Sequence, residues 1–546
     1  MNLYFNMKHS HRIILAVICN LFLVLPGFSQ SDNTTTNLPK DYLSASFHAE
    51  RRQALRNLMP ANSVVVIFSY PEEVFSKDVD YVFHQNPDLY YFSGYNEPNA
   101  VLLIFKEMQP DGDSSYNELF FVQHRDPMRE SWTGKRLGVE GVKSKLGFKR
   151  VYNGEDFGKF NIDLRKYNII YDQLPDTINN TEKGNLGWLA SNFVAKSGVN
   201  PMNKDLARDL DLIYQRGNSR NLARLVAYIS SKLNEPAYKN NSLIQELVAK
   251  PDSATLADFK VKFSAQQNSG LIAFSKYTNA LRGIKTPEEI VLIKKSVELS
   301  SIAHAEAMRA VTPKMSEREL EGIMLYVHKK YGAEEEGYGP IVGAGGNGCI
   351  LHYEDNNLLE VGNQLVLMDV GAMYHGYSAD VTRTFPANGK FSDEQKAIYQ
   401  IVYDAQEAVF KICKQGIPFD SAQRVSEQVV ADGLIKLGVI KTAKEVKTYY
   451  PHGLSHHLGL DVHDKGNYKN MEENMVITVE PGIYIPAGSD CDKKWWNIGV
   501  RIEDDVLIGK DGCLLLSGDA PRKWQEIEKT VAEKSVFDTV NFPALK

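Results

Sequence analysis

Leu365-Val-Leu-Met-Asp-Val-Gly371 and, after five intervening residues, Tyr377-Ser-Ala-Asp-Val-Thr-Arg-Thr-Phe385 are the segments that decide the fold. Gln364 to Val370 and Ser378 to Phe385 are rich in β-branched and apolar residues and read as neighbouring strands. Asp369 ends the first and Asp380 lies in the second. Their positions are symmetrical about a turn between Tyr374 and His375, so a hairpin turning there sets the two aspartates opposite one another. Opposed carboxylates repel, and something positive is expected between them. A merely solvated hairpin face is the plain alternative, but Val366, Leu367 and Met368 run directly into Asp369, which argues for burial.

The same pattern recurs further along. Glu480 closes the apolar run Met475-Val-Ile-Thr-Val-Glu-Pro481, and Glu503 is embedded in Val500-Arg-Ile-Glu-Asp-Asp-Val506. Single acids inside core-like segments are costly unless they are paired or bind metal. Four of them imply a cation site. Six of the 13 histidines fall between His352 and His463, and one imidazole from Pro451-His-Gly-Leu-Ser-His-His-Leu-Gly-Leu-Asp-Val-His463 completes a set of four carboxylates and one histidine. Four negative charges balance two divalent ions, the arrangement of dinuclear hydrolases. An oxygen-rich set suits Mn²⁺ first, with Co²⁺, Zn²⁺ and Fe²⁺ compatible by ligand type.

Around this region the chain is ordinary in composition. It has 546 residues, 62 Lys plus Arg against 68 Asp plus Glu, and 43% hydrophobic residues, 10% being aromatic. That is too apolar for disorder and long enough for two or three domains. A net charge of −6 offers no excess of cations to phosphates, so no nucleic-acid partner is expected. Lys8 and Arg12, the apolar run Ile13 to Leu25, and small residues at Gly27 and Ser29 read as a signal peptide over 1–29, too short in its apolar part to span a bilayer. The mature chain is expected to begin near Gln30, to have no membrane association after cleavage, and to be exported, periplasmic or secreted. Residues 30–40 read as a flexible mature N-terminus. Cys349, Cys413, Cys491 and Cys513 lack CxxC spacing, which excludes a zinc ribbon and leaves room for one optional bridge. Strand-like runs (Ser63 to Ser69, Ala100 to Phe105, Glu118 to Val122) mark an α/β domain, and a charged helical stretch from about 203 to 265 extends it, giving a first domain over 41–275. Thr286-Pro-Glu-Glu289 opens a long helix with a capping box, and Ser316 with Glu319 and Ser392 with Gln395 open two more. A second domain over 280–546 mixes these helices with a sheet.

Asn347-Gly-Cys-Ile-Leu-His-Tyr353, Val366-Leu-Met-Asp-Val-Gly371, Asp380-Val-Thr-Arg-Thr-Phe-Pro386, His452-Gly-Leu-Ser-His456, Thr478-Val-Glu-Pro-Gly482 and Arg501-Ile-Glu-Asp504 occur in that order. Together with Gln85-Asn-Pro-Asp-Leu-Tyr-Tyr-Phe-Ser-Gly-Tyr-Asn-Glu-Pro98, they resemble the Xaa-Pro aminopeptidase (aminopeptidase P) branch of the M24 metallopeptidases. The resemblance implies an α/β (α+β) architecture, a pita-bread catalytic domain behind a smaller creatinase-like N-terminal domain. It implies Asp369, Asp380, His456, Glu480 and Glu503 as ligands of two divalent ions, with Asp380 and Glu503 bridging. It further implies Glu480 as proton shuttle, His463 as stabiliser of the developing oxyanion, His352 as a catalytic residue that helps place the substrate, and His452, Tyr484 and Arg501 around a prolyl pocket. The substrates implied are peptides with N-terminal Xaa-Pro, and the assembly implied is a homo-oligomer, dimer or tetramer.

The chain departs from the family pattern in three places: His457, the long segment from about 203 to 275, and the loop from Gly488 to Trp496. Two motifs are decoys. Gly343-Ala-Gly-Gly-Asn-Gly348 has the GxGxxG spacing without a following helix, and His452 and His456 have HExxH spacing without the glutamate. Two rival functions are a prolidase of the same fold and, from another class, a metal-free creatinase-like enzyme or peptide-binding module. The complete set of five ligands argues against the latter.

Overall fold

The computed structural model describes residues 40–175, 182–219 and 221–540. The expected signal peptide and almost all of the polar stretch after it lie outside these residues. Helix α1 (Ala45–Leu58) precedes strand β1 (Ser63–Phe68); helix α2 (Pro87–Ser93) follows, then strands β2 (Val101–Asp111), β3 (Ser114–Val122), β4 (Val151–Asn153) and β5 (Asn168–Tyr171). They form one sheet in the order β4-β3-β2-β1-β5, antiparallel at β1–β2 and β2–β3 and parallel at the edges. Every residue of β1 is buried because the sheet is covered on both faces. Val65 and Ile67 pack with Phe47, Leu55 and Phe274, whereas Val64, Val66 and Phe68 pack with Phe193, Leu210 and Phe263. The charged stretch from about 203 to 265 is helical, and its Leu210 and Phe263 pack against this sheet. It contains α3 (Lys204–Arg216) and four shorter or similar helices, and α4 (Gly270–Arg282) follows.

The second half begins with α5 (Pro287–Ala310) and α6 (Glu317–Lys330). The Thr286 hydroxyl accepts from the Glu289 N–H at 3.3 Å while the Glu289 carboxylate accepts from the Thr286 N–H at 2.9 Å, and Ser316 with Glu319 repeats the exchange. Each such cap stabilises its helix by roughly 1 kcal/mol. Strands β6 (Ile341–Ala344), β7 (Leu365–Asp369), β8 (Ala372–Tyr374), β9 (Tyr377–Ser378) and β10 (Thr382–Pro386) come next. Helices α7 (Asp393–Phe410, capped by Ser392 and Gln395) and α8 (Phe419–Lys436) follow. Strands β11 (Val476–Val479), β12 (Gly482–Ile485), β13 (Ile498–Arg501), β14 (Asp504–Ile508) and β15 (Cys513–Leu515) complete the domain. The strands pair as β10-β7-β6, β11-β14-β15 and β12-β13, and α5 to α8 contribute to one core with them. The two halves share packed residues: Phe274 and Tyr91 lie in one cluster with Leu292, Tyr374 and Leu458. Among the described residues no helix is long and apolar enough to cross a membrane.

Two expectations need correction. Asp369 pairs with Thr382, not with Asp380, so the register is shifted by two places. The turn is centred between His375 and Gly376, whose φ angles of +51° and +83° form a two-residue left-handed turn between the paired Tyr374 and Tyr377. Glu334 fixes it, accepting from the His375 N–H and contacting Nδ1, both at 2.7 Å. A two-place shift leaves both aspartates on one face, so they remain neighbours. The other correction is that the expected strand Ser378 to Phe385 is interrupted at residues 379–381, and the apolar segments around Glu480 and Glu503 are likewise broken, at 480–481 and 502–503. Asp380 and Glu480 occupy those breaks, and Glu503 keeps only an isolated bridge to Thr382.

Candidate active site

Asp369 and Asp380 share one hydroxyl: Tyr338 Oη lies 2.5 Å from Asp369 Oδ1 and 2.7 Å from Asp380 Oδ1. Arg501 donates to Asp369 Oδ2 at 2.6 Å. Asp380 Oδ2 lies 3.2 Å from His456 Nε2, and Glu480 Oε1 lies 3.5 Å from the same nitrogen. Glu503 accepts from Thr382 Oγ1 at 2.6 Å. One ligand atom each of Asp380, His456 and Glu503 lie within 4.8 Å of one another. All five expected ligands are therefore gathered in one place.

His456 is oriented for ligation. Its Nδ1 lies 3.0 Å from the His457 carbonyl, which can only accept, so the proton sits on Nδ1 when the ring is neutral and the Nε2 lone pair faces the acids. Burial and then the charge of Asp369 raise the Asp380 carboxyl. Burial, Asp380, Glu480 and Asp369 raise Glu503 well above the usual carboxylate range. Glu480 is pushed up to about 7 by burial together with Asp380 and Asp369, despite relief from His456. Asp369 goes the other way: burial opposes ionisation, but Arg501 and the Tyr338 hydrogen bond hold it low. His456 rises to about 9, because Asp380 and Glu480 outweigh its burial. Without a cation the cluster keeps near neutrality by holding protons. The oxygen-rich donor set fits divalent ions, whose charge would replace that of those protons.

A cavity of about 430 Å³ opens over the acids, lined also by His352, His452, His463 and Arg501. His452 is lowered to about 4 by burial and the Arg501 charge, and His463 to about 4 by burial and the His456 charge, so both are neutral at pH 7. Tyr484 does not line this cavity. It stands behind the wall, its hydroxyl 2.9 Å from His452 Nε2 and accepting from Arg501 at 2.9 Å, so it braces two pocket residues. His457 is neither ligand nor pocket wall. Its ring packs on Phe419 and Tyr468 with Nε2 3.2 Å from the Asn467 carbonyl. The loop from Gly488 to Trp496 joins β12 to β13 and buries Trp495 in the core. The decoys hold no helix of the required kind: a 3₁₀ turn follows Gly346, and residues 451–456 are irregular. Sequence reasoning missed Tyr338, Thr382 and Thr478, whose hydroxyl reaches Glu480 at 3.2 Å.

Acids that cannot ionise together without a cation, beside imidazoles that stay neutral, make a site for metal-assisted hydrolysis. Residues 291–510 match metallopeptidase family M24, and residues 48–170 match the N-terminal domain of aminopeptidase P. The chain is 32% identical over 490 residues to the Xaa-Pro aminopeptidase of Escherichia coli K12, covering 88% of this chain and 96% of that one. It is also 32% identical to Xaa-Pro aminopeptidase 3 of Dictyostelium discoideum, over 89% and 82% of the two chains. Among solved structures, aminopeptidase P from E. coli with the inhibitor Pro-Leu superposes with a TM-score of 0.68 at 29% identity, covering 90% of this chain and 98% of that one. The chain belongs to metallopeptidase family M24, with the aminopeptidase P N-terminal domain and the pita-bread catalytic fold, and is a metallo-exopeptidase.

Proposed function

We propose that this chain is an exported Xaa-Pro aminopeptidase, releasing the N-terminal residue of peptides whose second residue is proline, with two divalent ions, Mn²⁺ by preference, held by Asp369, Asp380, His456, Glu480 and Glu503. The observation that carries the reading is the convergence of these five donors beneath His352, His452 and His463. Ions bound there supply Lewis acidity and acidify water. The chain's own residues do the rest. Glu480, whose carboxylate lies among the donors with Oε1 3.5 Å from His456 Nε2, takes the proton of the attacking water and delivers it to the prolyl nitrogen as the C–N bond breaks. Neutral His463 donates its N–H to the developing oxyanion, and His352 helps to place the substrate. His452 and Arg501, braced by Tyr484, wall the proline ring, which fixes φ near −65° and has no N–H to satisfy. The names of the relatives, and the Asn347 to Tyr353 and His452 to His456 motifs, favour this over a prolidase.

The test compares Xaa-Pro-Yaa, Xaa-Ala-Yaa and Xaa-Pro substrates with metal-loaded protein. Replacing proline by alanine should lower kcat/KM by more than about tenfold, and the dipeptide should be the poorer proline substrate. Equal kcat/KM on the proline and alanine tripeptides overturns the specificity. Export rests on the Lys8 to Ser29 pattern and predicts a mature N-terminus near Gln30. Edman sequencing that finds Met1 or Met7 on the mature protein rejects it.

A further inference from the structure

Among the described residues the ring nitrogens of His463 have no hydrogen-bond partner, and its one close ring contact is edge-on to His456 at 4.1 Å. The backbone beneath it is also loosely tied, since none of the N–H groups of Leu460 to His463 reaches an acceptor among the described residues. Leu460 anchors the start of the segment in the core, and the Asp464 N–H donates to the His457 carbonyl at 2.8 Å; between these points the segment is held by charge. Arg282, at the end of α4, is 1% exposed and sends one nitrogen to both Asp461 Oδ2, at 2.8 Å, and Asp464 Oδ1. Those two carboxylates bracket His463 in sequence, at two residues before and one after. The other terminal nitrogen of Arg282 donates to Asp88 Oδ1 of the first domain at 2.9 Å.

Two lysines complete the cluster. Lys285 donates to Asp464 Oδ2 at 2.7 Å, and Lys465 pairs with Asp88 Oδ2 and donates to Thr278 at 3.1 Å. Three cations thus meet three carboxylates, drawn from the first domain, the junction and the catalytic loop. Gly459 makes the closeness possible: a Cβ there would lie 2.0 Å from Asp464 Oδ2 and 2.7 Å from Lys285 Nζ. Buried clusters of this kind contribute little net stability compared with apolar packing of the same volume, and Arg282 Nε is left without a partner. Geometric control of the loop is what the arrangement supplies. We propose that Arg282 is a positioning residue for the hydrolysis, holding His463 over the scissile carbonyl by gripping Asp461 and Asp464 from a fixed point anchored on Asp88 of the first domain.

The proposal rests on the role given to His463 above. Its test is a double-mutant cycle with metal-loaded protein on an Xaa-Pro tripeptide, comparing the unmodified chain, Arg282→Lys, His463→Ala and the double variant. Lysine keeps the charge and loses the fork that reaches three carboxylates. Arg282→Lys should lower kcat by roughly tenfold to a hundredfold, the scale of a displacement near 1 Å, with KM and metal content unchanged. In the His463→Ala background the same change should lower kcat by less than about twofold. Equal losses in both backgrounds, or no loss in the first, overturn the proposal alone. If His463→Ala leaves kcat intact, the role of His463 falls and this inference with it. Should Arg282→Lys fold poorly, Asp461→Asn removes only the partly exposed partner and reads the same cycle.

Discussion

The hydroxyl of Tyr338 spans two carboxylates that would otherwise repel, which makes it a test of how finely the cluster is set. Tyr338→Phe should weaken divalent-metal affinity by roughly tenfold, the usual scale for residues that orient ligands, as read by competition with a chromophoric chelator. Asp380→Ala should do more, leaving three acids without the one that joins His456 to the aspartate pair, and should abolish stoichiometric metal and turnover together. Full metal content in that variant would remove Asp380 from the site. The acids were legible because each is a charge inside an apolar run. Tyr338 was not, since a lone tyrosine in Glu336-Gly-Tyr-Gly-Pro340 interrupts no pattern. Spacing alone could not separate His456 from its neighbour His457; the family resemblance pointed to His456, and its Nε2 does lie 3.2 Å from Asp380 and 3.5 Å from Glu480.

At the scale of elements, helix starts were readable to the residue because a capping box is a local contract between two side chains and two N–H groups. Strand register was not, because it depends on where the turn places its left-handed residues. The turn at His375 and Gly376 moved the pairing by two, an even number, and so preserved the side-chain face on which the site depends. Strand breaks escaped notice for a related reason: Asp380, Glu480 and Glu503 sit in β-prone surroundings, and only the three-dimensional demand that they converge takes them out of the ladders. The turn yields a prediction of its own. Alanine at Gly376 would adopt φ near +83° with its Cβ 3.3 Å from Leu460, so Gly376→Ala should destabilise by about 1 kcal/mol or more, seen as a lower apparent Tm. An unchanged Tm would show that the turn relaxes without cost.

Across the whole molecule, the buried acids divide into two sets with opposite pH behaviour, and metal separates them. Asp464 is held down to about 2 by Arg282 and Lys285 against its burial. A depressed carboxyl contributes stability above the unfolded value near 3.9, lost as pH falls towards 2. That loss, on the order of 2 kcal/mol, should unlock the junction of the two halves in acid whether or not metal is bound. Glu480 near 7, with Asp380 and Glu503 also raised, behaves in reverse. The metal-free fold binds more protons there than the unfolded chain between about pH 4 and 7, so its stability falls as pH rises through that window. Ions that displace those protons remove the penalty. Buried neutral imidazoles such as His48 and His304 titrate in the opposite sense, but they are common to both forms and cancel in the difference. The gap in apparent Tm between metal-loaded and chelator-stripped protein should therefore widen from pH 5 to pH 7.5, with metal uptake at neutral pH releasing protons to the buffer. Calorimetric titration in buffers of different ionisation enthalpy measures the proton release, and thermal scans measure the gap. A gap that is constant over this range, with no proton release, would mean that the acids are already ionised without their cations, against the electrostatics of a cluster buried this deeply.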